Sequence, residues 1–385
     1  MSFIESPERR DLRQSVANFA ASYGHEYVRS KAKAHEPLDE LWNEAGKLGF
    51  LGVNIPEEYG GGGAGMFELS LVAEELAAVG AGLLMMVVSP AICGTIIARY
   101  GTDEQKQKWL PGIADGSFKM AFGITEPDAG SNSHNITTTG RRDGGDWILN
   151  GRKIFISAVD QADAVLIVGR TEDAKSGKLK PALWVLPTDT AGFEYKPIEM
   201  ELQIPDRQFL LFLDDVRLPA ESLVGSEDAA LMQLFAGLNP ERIMGAALSI
   251  GMARLALGKA VDYVKNRTVW KTPIGAHQGI AHPLAQIKIE TELAKLMMQK
   301  AATLYDAGDD WGAAEAANMA KYAAAEASIK AVDQAIHSLG GNGLTSEYGL
   351  AQMLNASRIA RIAPVSREMI LNFVAQSSLG LPKSY

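Results

Sequence analysis

The sequence predicts a multi-domain protein in which an N-terminal helical domain, a central antiparallel β-domain and a C-terminal four-helix bundle follow one another. A chain of 385 residues is too long for one ordinary hydrophobic core. Apolar residues recur at helical spacing near both ends of the chain, whereas they alternate in the middle. Turn signals are also concentrated in the middle. We therefore expect domains at residues 1–117, 118–225 and 226–385.

The composition is that of a soluble globular protein, since 47% of the residues are hydrophobic and 22% are charged. The formal net charge is -9 and no cluster of lysine and arginine compensates for it, which argues against a nucleic-acid partner. Cys93 is the only cysteine, so internal disulfides and thiolate metal clusters are excluded and no bound metal is expected. A lone cysteine in an apolar run fits the core of a cytoplasmic protein.

Residues 1–117 predict helices joined by a glycine-rich loop. Residues 37–48 and 104–114 place apolar side chains at helical spacing. The loop at residues 56–65 contains a glycine run, which can cradle a phosphate ahead of a helix. No Gly-Lys-Ser/Thr motif follows this run and no clear strand precedes it, so a connecting loop is favoured over a P-loop.

The stretch at residues 81–97 is the most apolar run of the chain. It contains Pro90 and is shorter than the roughly 20 residues that a membrane span needs. We expect a buried helix pair there and no membrane span. The N-terminus is polar and lacks the apolar core of a secretion signal.

The middle part alternates apolar and polar residues in the manner of β-strands. The predicted strands are residues 118–125, 147–149, 153–157, 164–168, 182–186 and 209–213. Turn signals such as Asn150-Gly151 separate them, and no helical pattern long enough for a crossover intervenes. An antiparallel β-domain is therefore favoured, and a nicotinamide-binding Rossmann domain is excluded.

The last part predicts four long helices of the length found in bundles, at about residues 229–266, 283–307, 312–338 and 364–378. Pro240 interrupts the first of them. It marks either a kink or the first turn of a helix that is capped by Asn239. Because the apolar periodicity continues on both sides, we expect a kink within one continuous helix.

Glu241 lies in an apolar stripe of this first helix. Its neighbours at three and four positions are Gly237, Leu238, Met244 and Gly245. Glu241 either pairs with a cation from another helix or acts as a general base whose pKa is raised by desolvation. The small residues leave room for a ligand, although they serve close helix packing equally well. The local pattern does not choose between these two hypotheses.

Two motifs of the β-domain combine small, polar and aromatic residues. The turn after the first predicted strand presents the amides of Gly130 and Ser131, which can bind a phosphate oxygen, while Thr125 can bond a heterocycle edge. Phe155 and Ser157 lie on one side of another strand, where a flat cofactor can pack. An ordinary β-turn and an ordinary core pair explain the same residues.

Two motifs of the helical part add further candidates. Arg267 and Trp270 end the long helix with a cation and an indole, which suit a pyrophosphate and a purine face. Alternatively, Arg267 complements the helix dipole. Gly340-Gly341 follows another helix and lets the backbone approach a ligand closely, whereas a plain C-cap needs only one glycine.

Together and in this order, these motifs resemble the acyl-CoA dehydrogenase family over essentially the whole chain. Residues 56–61 resemble its N-terminal loop, and residues 124–132 resemble its FAD signature, with Asn132 where aspartate is usual. Residues 149–157 resemble the next motif, in which Phe155 and Ser157 replace the usual tryptophan and threonine. Both replacements keep the aromatic face and the hydroxyl.

The resemblance implies an FAD cofactor and a homotetramer, a dimer of dimers in which the neighbouring subunit completes each FAD site. The residues implied at the flavin, ribityl or phosphate are Phe122, Ile124, Thr125, Gly130, Ser131, Phe155, Ile156 and Ser157. Those implied at the partner's adenosine and pyrophosphate are Arg267, Val269, His277, Gln278, His337, Gly340 and Gly341, with His337 in place of a common glutamine. Ser366 and Glu368 are implied near the flavin end of the last helix.

The resemblance also indicates where the base lies. Most family members carry it as a glutamate just before the last helix, a site that falls here on Ala363-Pro364, neither of which accepts a proton. Isovaleryl- and long-chain-type members place it on the long helix within an Asp/Asn-x-Glu-Arg pattern, which residues 239–242 match. Glu241 is therefore implied as the base. The implied substrate contacts are Ser131, Leu238, Asn239, Arg242 and Val365.

The implied reaction is α,β-dehydrogenation of an acyl-CoA thioester to the trans-2-enoyl-CoA, a step of fatty-acid metabolism. Glu241 would take the α-proton and flavin N5 the β-hydride, after which electrons would pass to an electron-transferring flavoprotein. Two alternatives stay open: a flavin oxidase or monooxygenase of the same fold, and a non-catalytic subunit that has lost its base.

Overall fold

The computed structural model describes residues 5–173, 176–226 and 230–383. The first part of the chain is helical, as predicted. Its helices are α1 Pro7–Ala20, α2 Gly24–Ala34, α3 Asp39–Lys47, α4 Met66–Ala78, α5 Leu84–Met86, α6 Thr95–Tyr100 and α7 Asp103–Asp115. A π-helical segment, Val87–Gly94, joins α5 to α6 and contains Pro90. This apolar stretch is buried, and Cys93 within it is fully inaccessible, which confirms its predicted place in the core.

Seven strands form the central sheet. They are β1 Met120–Gly123, β2 Thr139–Asp143, β3 Asp146–Ser157, β4 Ala164–Glu172, β5 Leu179–Pro187, β6 Phe193–Ile198 and β7 Gln208–Leu218. The hydrogen-bonded order is β1-β4-β2-β3-β7-β6, and β5 pairs with β4. The pairs β2–β3, β3–β7, β4–β5 and β6–β7 are antiparallel.

These pairs confirm the predicted antiparallel β-domain, but two further pairs of strands are parallel. β1 runs parallel to β4, and β2 touches β4 in parallel at Thr139 and Arg170. The β2–β3 hairpin separates β1 from β4 in sequence, so the connection is long enough for parallel pairing without a crossover helix. Strands β2 and β6 were not predicted. Most of their side chains are exposed and polar, so they lack the alternation of apolar and polar residues.

The last part of the chain is helical again, with the long helices α8 Ala230–Asn266, α9 Gln278–Asp306 and α10 Asp310–Leu339. A small hairpin of β8 Thr268–Val269 and β9 Thr272–Pro273 joins α8 to α9. The shorter helices α11 Leu350–Ile362 and α12 Arg367–Phe373 follow. The predicted helix at residues 364–378 is therefore wrong at its start, and α11, which packs on α8 and α10, was not predicted. Ser366 caps α12, so this helix begins at Arg367, three residues after Pro364 in the loop between α11 and α12.

α8 is the central element of the fold, since it packs against α4, α9 and α10. Its stretch Ala236–Asn266 is long and apolar enough to cross a membrane by length and composition alone, but 56% of its most apolar window is buried inside the protein. Core helices of soluble proteins pass the same test.

Pro240 lies inside α8 and does not begin it, which confirms the expected continuity of the helix. A proline at this position removes the hydrogen bond to the carbonyl of Ala236. The buried hydroxyl of Tyr305 on α9 donates to that carbonyl at 3.0 Å. The helix therefore passes through Pro240 without leaving the Ala236 carbonyl unpaired.

Candidate active site

Three elements approach α8 on either side of Glu241. α6 packs on the turn before it, where a Cβ built on Gly237 would lie 2.8 Å from Ile96. The loop between α11 and α12 packs on the turn after it, where a Cβ built on Gly245 would lie 3.7 Å from Cδ of Pro364. α10 lies along a further side of this part of α8, where the Asp310 carbonyl and Asn318 accept hydrogen bonds from Asn239 and Arg242. Gly237 thus permits the close approach of α6, whereas a side chain at Gly245 would make only an ordinary contact with Pro364.

The carboxylate of Glu241 is half-buried, and within the described ranges no group donates a hydrogen bond to it. Two cations act on it, Arg242 and a buried lysine, Lys321, but the hydrogen bonds of both go elsewhere. Arg242 donates from Nη1 to the Leu238 carbonyl at 2.7 Å and from Nε to Oδ1 of Asn318 at 3.1 Å. The ion pair that would give Glu241 a purely structural role is not formed.

The surroundings of Glu241 favour its neutral form. Burial raises its pKa to about 7, although the charges of Arg242 and Lys321 act in the opposite direction. On another side lies Cys93, whose thiol pKa is raised well above its usual value by burial and by the charge of Glu241. Because Glu241 lies inside the continuous helix α8, the N-terminus of α8 is too far away to lower its pKa. A carboxylate that titrates near neutrality suits a general base.

The predicted substrate contacts fall into two groups. Leu238, three positions before Glu241 on α8, and Val365, in the loop between α11 and α12, are partly exposed. Asn239 is buried, and its Nδ2 donates to the carbonyl of Asp310 at the start of α10 at 3.1 Å. The side chain of Asn239 therefore anchors the start of α10. The guanidinium of Arg242 likewise already donates hydrogen bonds to two acceptors. Ser131 lies outside this cluster, in an exposed turn of the β-domain.

Phe155 stands out among the predicted flavin contacts. It has a φ of 57°, an uncommon conformation for a bulky residue, and its side chain is 54% exposed. A register shift between β3 and β7 begins at Lys153 and ends at Ile156, so Phe155 lies in a bulge. Strain at an exposed aromatic side chain is typical of a ligand site. Phe155 thus presents a free ring face that fits a flat cofactor.

A buried ion pair fixes the strand segments around Phe155. Nζ of Lys153 lies 2.8 Å from Oε1 of Glu126 and donates to the Ile124 carbonyl at 3.0 Å. Glu126 also accepts hydrogen bonds from the peptide N–H groups of Thr137 and Thr138. Burial alone would raise the pKa of Glu126, but the charge and hydrogen bond of Lys153 hold it at about 2. Both residues belong to the quoted motifs, yet their spacing did not reveal that they pair.

The remaining predicted flavin contacts differ in accessibility. Gly130 and Ser131 are exposed, Ile124 and Thr125 are partly exposed, and Phe122 and Ile156 are buried, so the last two can offer mainly backbone. Two predicted hydroxyl contacts already have partners. The hydroxyl of Ser157 bonds the Gln208 amide at 3.0 Å, and that of Ser366 caps α12 by accepting from the N–H of Met369. Glu368 is exposed in the first turn of α12.

The residues predicted for the adenosine and pyrophosphate all lie at one end of the bundle. They occupy the end of α8, the β8–β9 hairpin, the start of α9 and the end of α10, and most are exposed: Arg267, Val269, His277, Gln278, His337, Gly340 and Gly341. Asn342 donates to the Tyr263 hydroxyl at 3.0 Å and ties the end of α10 to α8.

The backbone conformation of the β8–β9 turn indicates a ligand site in a way that could not be predicted from the sequence. Trp270 and Lys271 have φ values of 54° and 65°, although two-residue turns of this kind favour asparagine and glycine. The indole of Trp270 is 87% exposed. An exposed aromatic side chain on a strained turn fits the predicted purine-binding role of this end of the bundle.

Comparison with known proteins identifies the family of the chain. Models of the acyl-CoA dehydrogenase N-terminal, middle and C-terminal domains match residues 6–117, 121–216 and 232–379. The chain is 74% identical over 384 residues to acyl-CoA dehydrogenase FadE12 of Mycobacterium tuberculosis, covering 100% of this chain and 99% of that protein.

Solved structures extend the comparison to ligands. The structure of a glutaryl-coenzyme A dehydrogenase complexed with glutaryl-CoA is similar with a TM-score of 0.93 and 30% identity, covering 100% of this chain and 98% of that one. A glutaryl-CoA dehydrogenase from Mycobacterium smegmatis, in complex with FADH2, is similar with a TM-score of 0.90 and 29% identity, covering 99% and 97%. The chain belongs to the acyl-CoA dehydrogenase family, whose members are FAD-dependent oxidoreductases that act on the CH–CH group of acyl-CoA thioesters.

Proposed function

We propose that this protein catalyses the α,β-dehydrogenation of an acyl-CoA thioester to the trans-2-enoyl-CoA, with Glu241 as the base that removes the α-proton. The observation that carries the proposal is the unpaired carboxylate of Glu241 beside the loop at Pro364. This loop is where most family members hold their base, and Pro364 there has no group that accepts a proton.

Glu241 is suited to this step by its protonation behaviour. An α-proton next to a thioester is weakly acidic, so the base must have a raised pKa and still be ionised near neutral pH. Burial that raises the pKa of Glu241 to about 7 meets both conditions. FAD, when bound, supplies the acceptor for the β-hydride.

The thioester carbonyl needs a hydrogen-bond donor while the α-proton leaves. We assign this role to the peptide N–H of Val365, since Pro364 has no N–H. A preorganised donor of this kind typically contributes roughly 3–4 kcal/mol to transition-state stabilisation. Leu238, Asn239 and Arg242 would border the acyl-CoA channel, and Ser131 would contact the CoA chain.

The cofactor site is proposed to lie between two subunits of a homotetramer. Arg267 follows Glu241 by roughly 26 positions, which corresponds to about 39 Å along the axis of α8. One FAD molecule is shorter than this span. The residues near Glu241 and Phe155 and those at the far end of the bundle would therefore serve different FAD molecules.

Electron-transferring flavoprotein is the proposed acceptor of the electrons. A lone, buried Cys93 supports a reducing, cytoplasmic compartment as the place of the reaction. A dye-reduction assay with butyryl-, octanoyl-, palmitoyl-, isobutyryl-, isovaleryl- and glutaryl-CoA would identify the acyl group. Hydrogen peroxide formed in air should be measured in the same experiment, and we expect it to stay low. Formation of hydrogen peroxide in proportion to the substrate oxidised would indicate an oxidase.

Replacement of Glu241 tests the base directly. Glu241→Gln should keep FAD and the oligomeric state but lose nearly all turnover with the fastest acyl-CoA of this panel. Glu290→Gln is the matched control, because Glu290 is paired with Lys330 on the surface of α9; its turnover should equal that of the wild type. Near-wild-type turnover of Glu241→Gln would place the base elsewhere.

A further inference from the structure

Lys321 is a buried lysine in the first half of α10, where only 2% of its surface is accessible. Nζ of Lys321 donates to the carbonyl of Val365 in the loop between α11 and α12. Within the described ranges, no carboxylate lies close enough to form a salt bridge with it. A buried ammonium group without a paired carboxylate is costly, so a specific reason for its presence is expected.

The charged groups around Lys321 come from two neighbouring helices. Glu241 and Arg242 face it from α8, and Glu368 faces it from α12. Glu241 in turn is faced by Arg242, Lys321 and, from the π-helical segment, the thiol of Cys93. Burial, and then the charge of Arg242, lower the pKa of Lys321 to about 8, whereas Glu241 and Glu368 act in the opposite direction.

Arg242 is held in a different way from Lys321. Asn318, one turn before Lys321 on α10, accepts from Nε of Arg242, and its own Nδ2 donates to the Ala314 carbonyl at 2.9 Å. α10 therefore positions both the guanidinium of Arg242 and, one turn further on, the loop that carries Val365.

We propose that Lys321 is a positioning residue, which holds the loop at residues 363–366 against α8 and supplies the positive charge that favours ionised Glu241. This role rests on the proposed function of Glu241 as the base. Lys321 does not itself touch the reacting atoms: it acts through Val365, whose peptide N–H would polarise the thioester, and through its charge on Glu241. In this arrangement Lys321 acts on both the proposed base and the proposed carbonyl donor.

Two substitutions separate the charge from the hydrogen bond. Lys321→Gln removes the charge but keeps a donor for the Val365 carbonyl, whereas Lys321→Met removes both. Lys330→Met is the matched control, since Lys330 lies on the same helix but is exposed and paired with Glu290. The measurement is the rate of flavin reduction in stopped flow as a function of pH, with the fastest acyl-CoA of the panel, on variants that retain FAD.

Lys321→Gln should move the pH midpoint of this rate upward by about one unit or more, because a nearby opposite charge favours ionised Glu241. Its KM should stay near that of the wild type. Lys321→Met should show the same shift together with a raised KM, because the loop is released. Lys330→Met should move neither value.

A midpoint of Lys321→Gln that equals that of the wild type would overturn the proposal, even if the rate falls. This variant keeps the test decisive if Lys321→Met does not fold. Glu241→Gln, measured in the same experiment, separates the role of Glu241 as the base from the role of Lys321 as a positioning residue. If Glu241→Gln remains active, the proposed base is wrong; if it is inactive and the Lys321→Gln midpoint is unmoved, only the role of Lys321 fails.

Discussion

At the scale of single residues, Glu241 differs from other glutamates of the protein interior because no cation among the described residues bonds to its carboxylate. Glu126 is paired with Lys153, and Glu75 lies within salt-bridge distance of Arg13 and Arg254. These pairs hold the pKa of both carboxyls below the usual range despite burial. Glu241 has cations nearby but no bond to them, so burial dominates and its pKa rises. An unpaired carboxylate retains its capacity to accept a proton from a substrate.

The pH dependence of the reaction follows from this pKa. Glu241 can accept a proton only when it is ionised, and its pKa of about 7 lies above the usual value of 4.5. The rate of flavin reduction should therefore be low at acidic pH, rise through about pH 7 and reach a plateau above it. Stopped-flow measurements of flavin absorbance at a series of pH values check this. A rate that is already maximal at pH 5 would contradict the assignment.

At the scale of elements, the packing of α8 on α4 depends on one glycine. A Cβ built on Gly251 would lie 2.5 Å from the Glu74 carbonyl oxygen and 2.5 Å from Cβ of Ala77. Real Cβ atoms do not approach backbone so closely, so a side chain there would push the two helices apart. Gly258, two turns further along the same helix, has nothing within 4 Å of the corresponding point.

These two glycines give a matched pair of substitutions. Gly251→Ala should lower the free energy of unfolding by about 1–3 kcal/mol, because it overpacks the α4–α8 contact. Gly258→Ala should raise it by about 0.5–1 kcal/mol, because alanine favours a helix interior. Urea unfolding followed by far-UV circular dichroism compares both with the wild type. Equal midpoints for the two variants would argue against close α4–α8 packing.

How well each element could be predicted depended on where its side chains point. The continuity of α8 through Pro240 was predicted from its periodicity, but its support by Tyr305 is a contact between distant parts of the chain. Strand β6 was not predicted, because four of its six residues are exposed and the alternation is lost. The parallel pairing of β1 with β4 has no local signal, since it is decided by the whole sheet.

The same distinction applies to the candidate site. The pattern at residues 239–242 marked Glu241, and the motif at residues 149–157 marked Phe155, because both resemble family motifs. Lys321 was not identified, because a lysine in an alanine-rich helix is usually a solvent-facing residue. Its burial and its bond to Val365 depend on the packing of α10 against a loop more than 40 positions away.

At the scale of the whole molecule, the far end of the bundle exposes a cationic and an aromatic side chain that contact no charged or aromatic partner among the described residues. Arg267 and Trp270 are both exposed there, the latter on a strained turn. If they complete the FAD site of a partner subunit, binding of the cofactor and assembly are linked. FAD would then hold subunits together as well as accept electrons.

This linkage can be tested with Arg267→Ala. The variant should be purified with less FAD per subunit and a smaller share of tetramer, because the pyrophosphate loses a charged donor. Lys265→Ala, at an exposed position in the last turn of α8, is the control and should leave both unchanged. Flavin absorbance against protein concentration and light scattering after size-exclusion chromatography give the two quantities. A full complement of FAD in Arg267→Ala would contradict the shared site.

The position of Glu241 on α8 also bears on how the protein responds to local opening. A base on a short loop can be lost when that loop alone fluctuates, whereas α8 is 37 residues long and packs against α4, α6, α9, α10 and α11. Amides around Glu241 should therefore exchange with deuterium only in openings that disrupt much of the bundle. Brief excursions of the loop at residues 363–366 would displace the proposed carbonyl donor, Val365, but leave the proposed base, Glu241, in place.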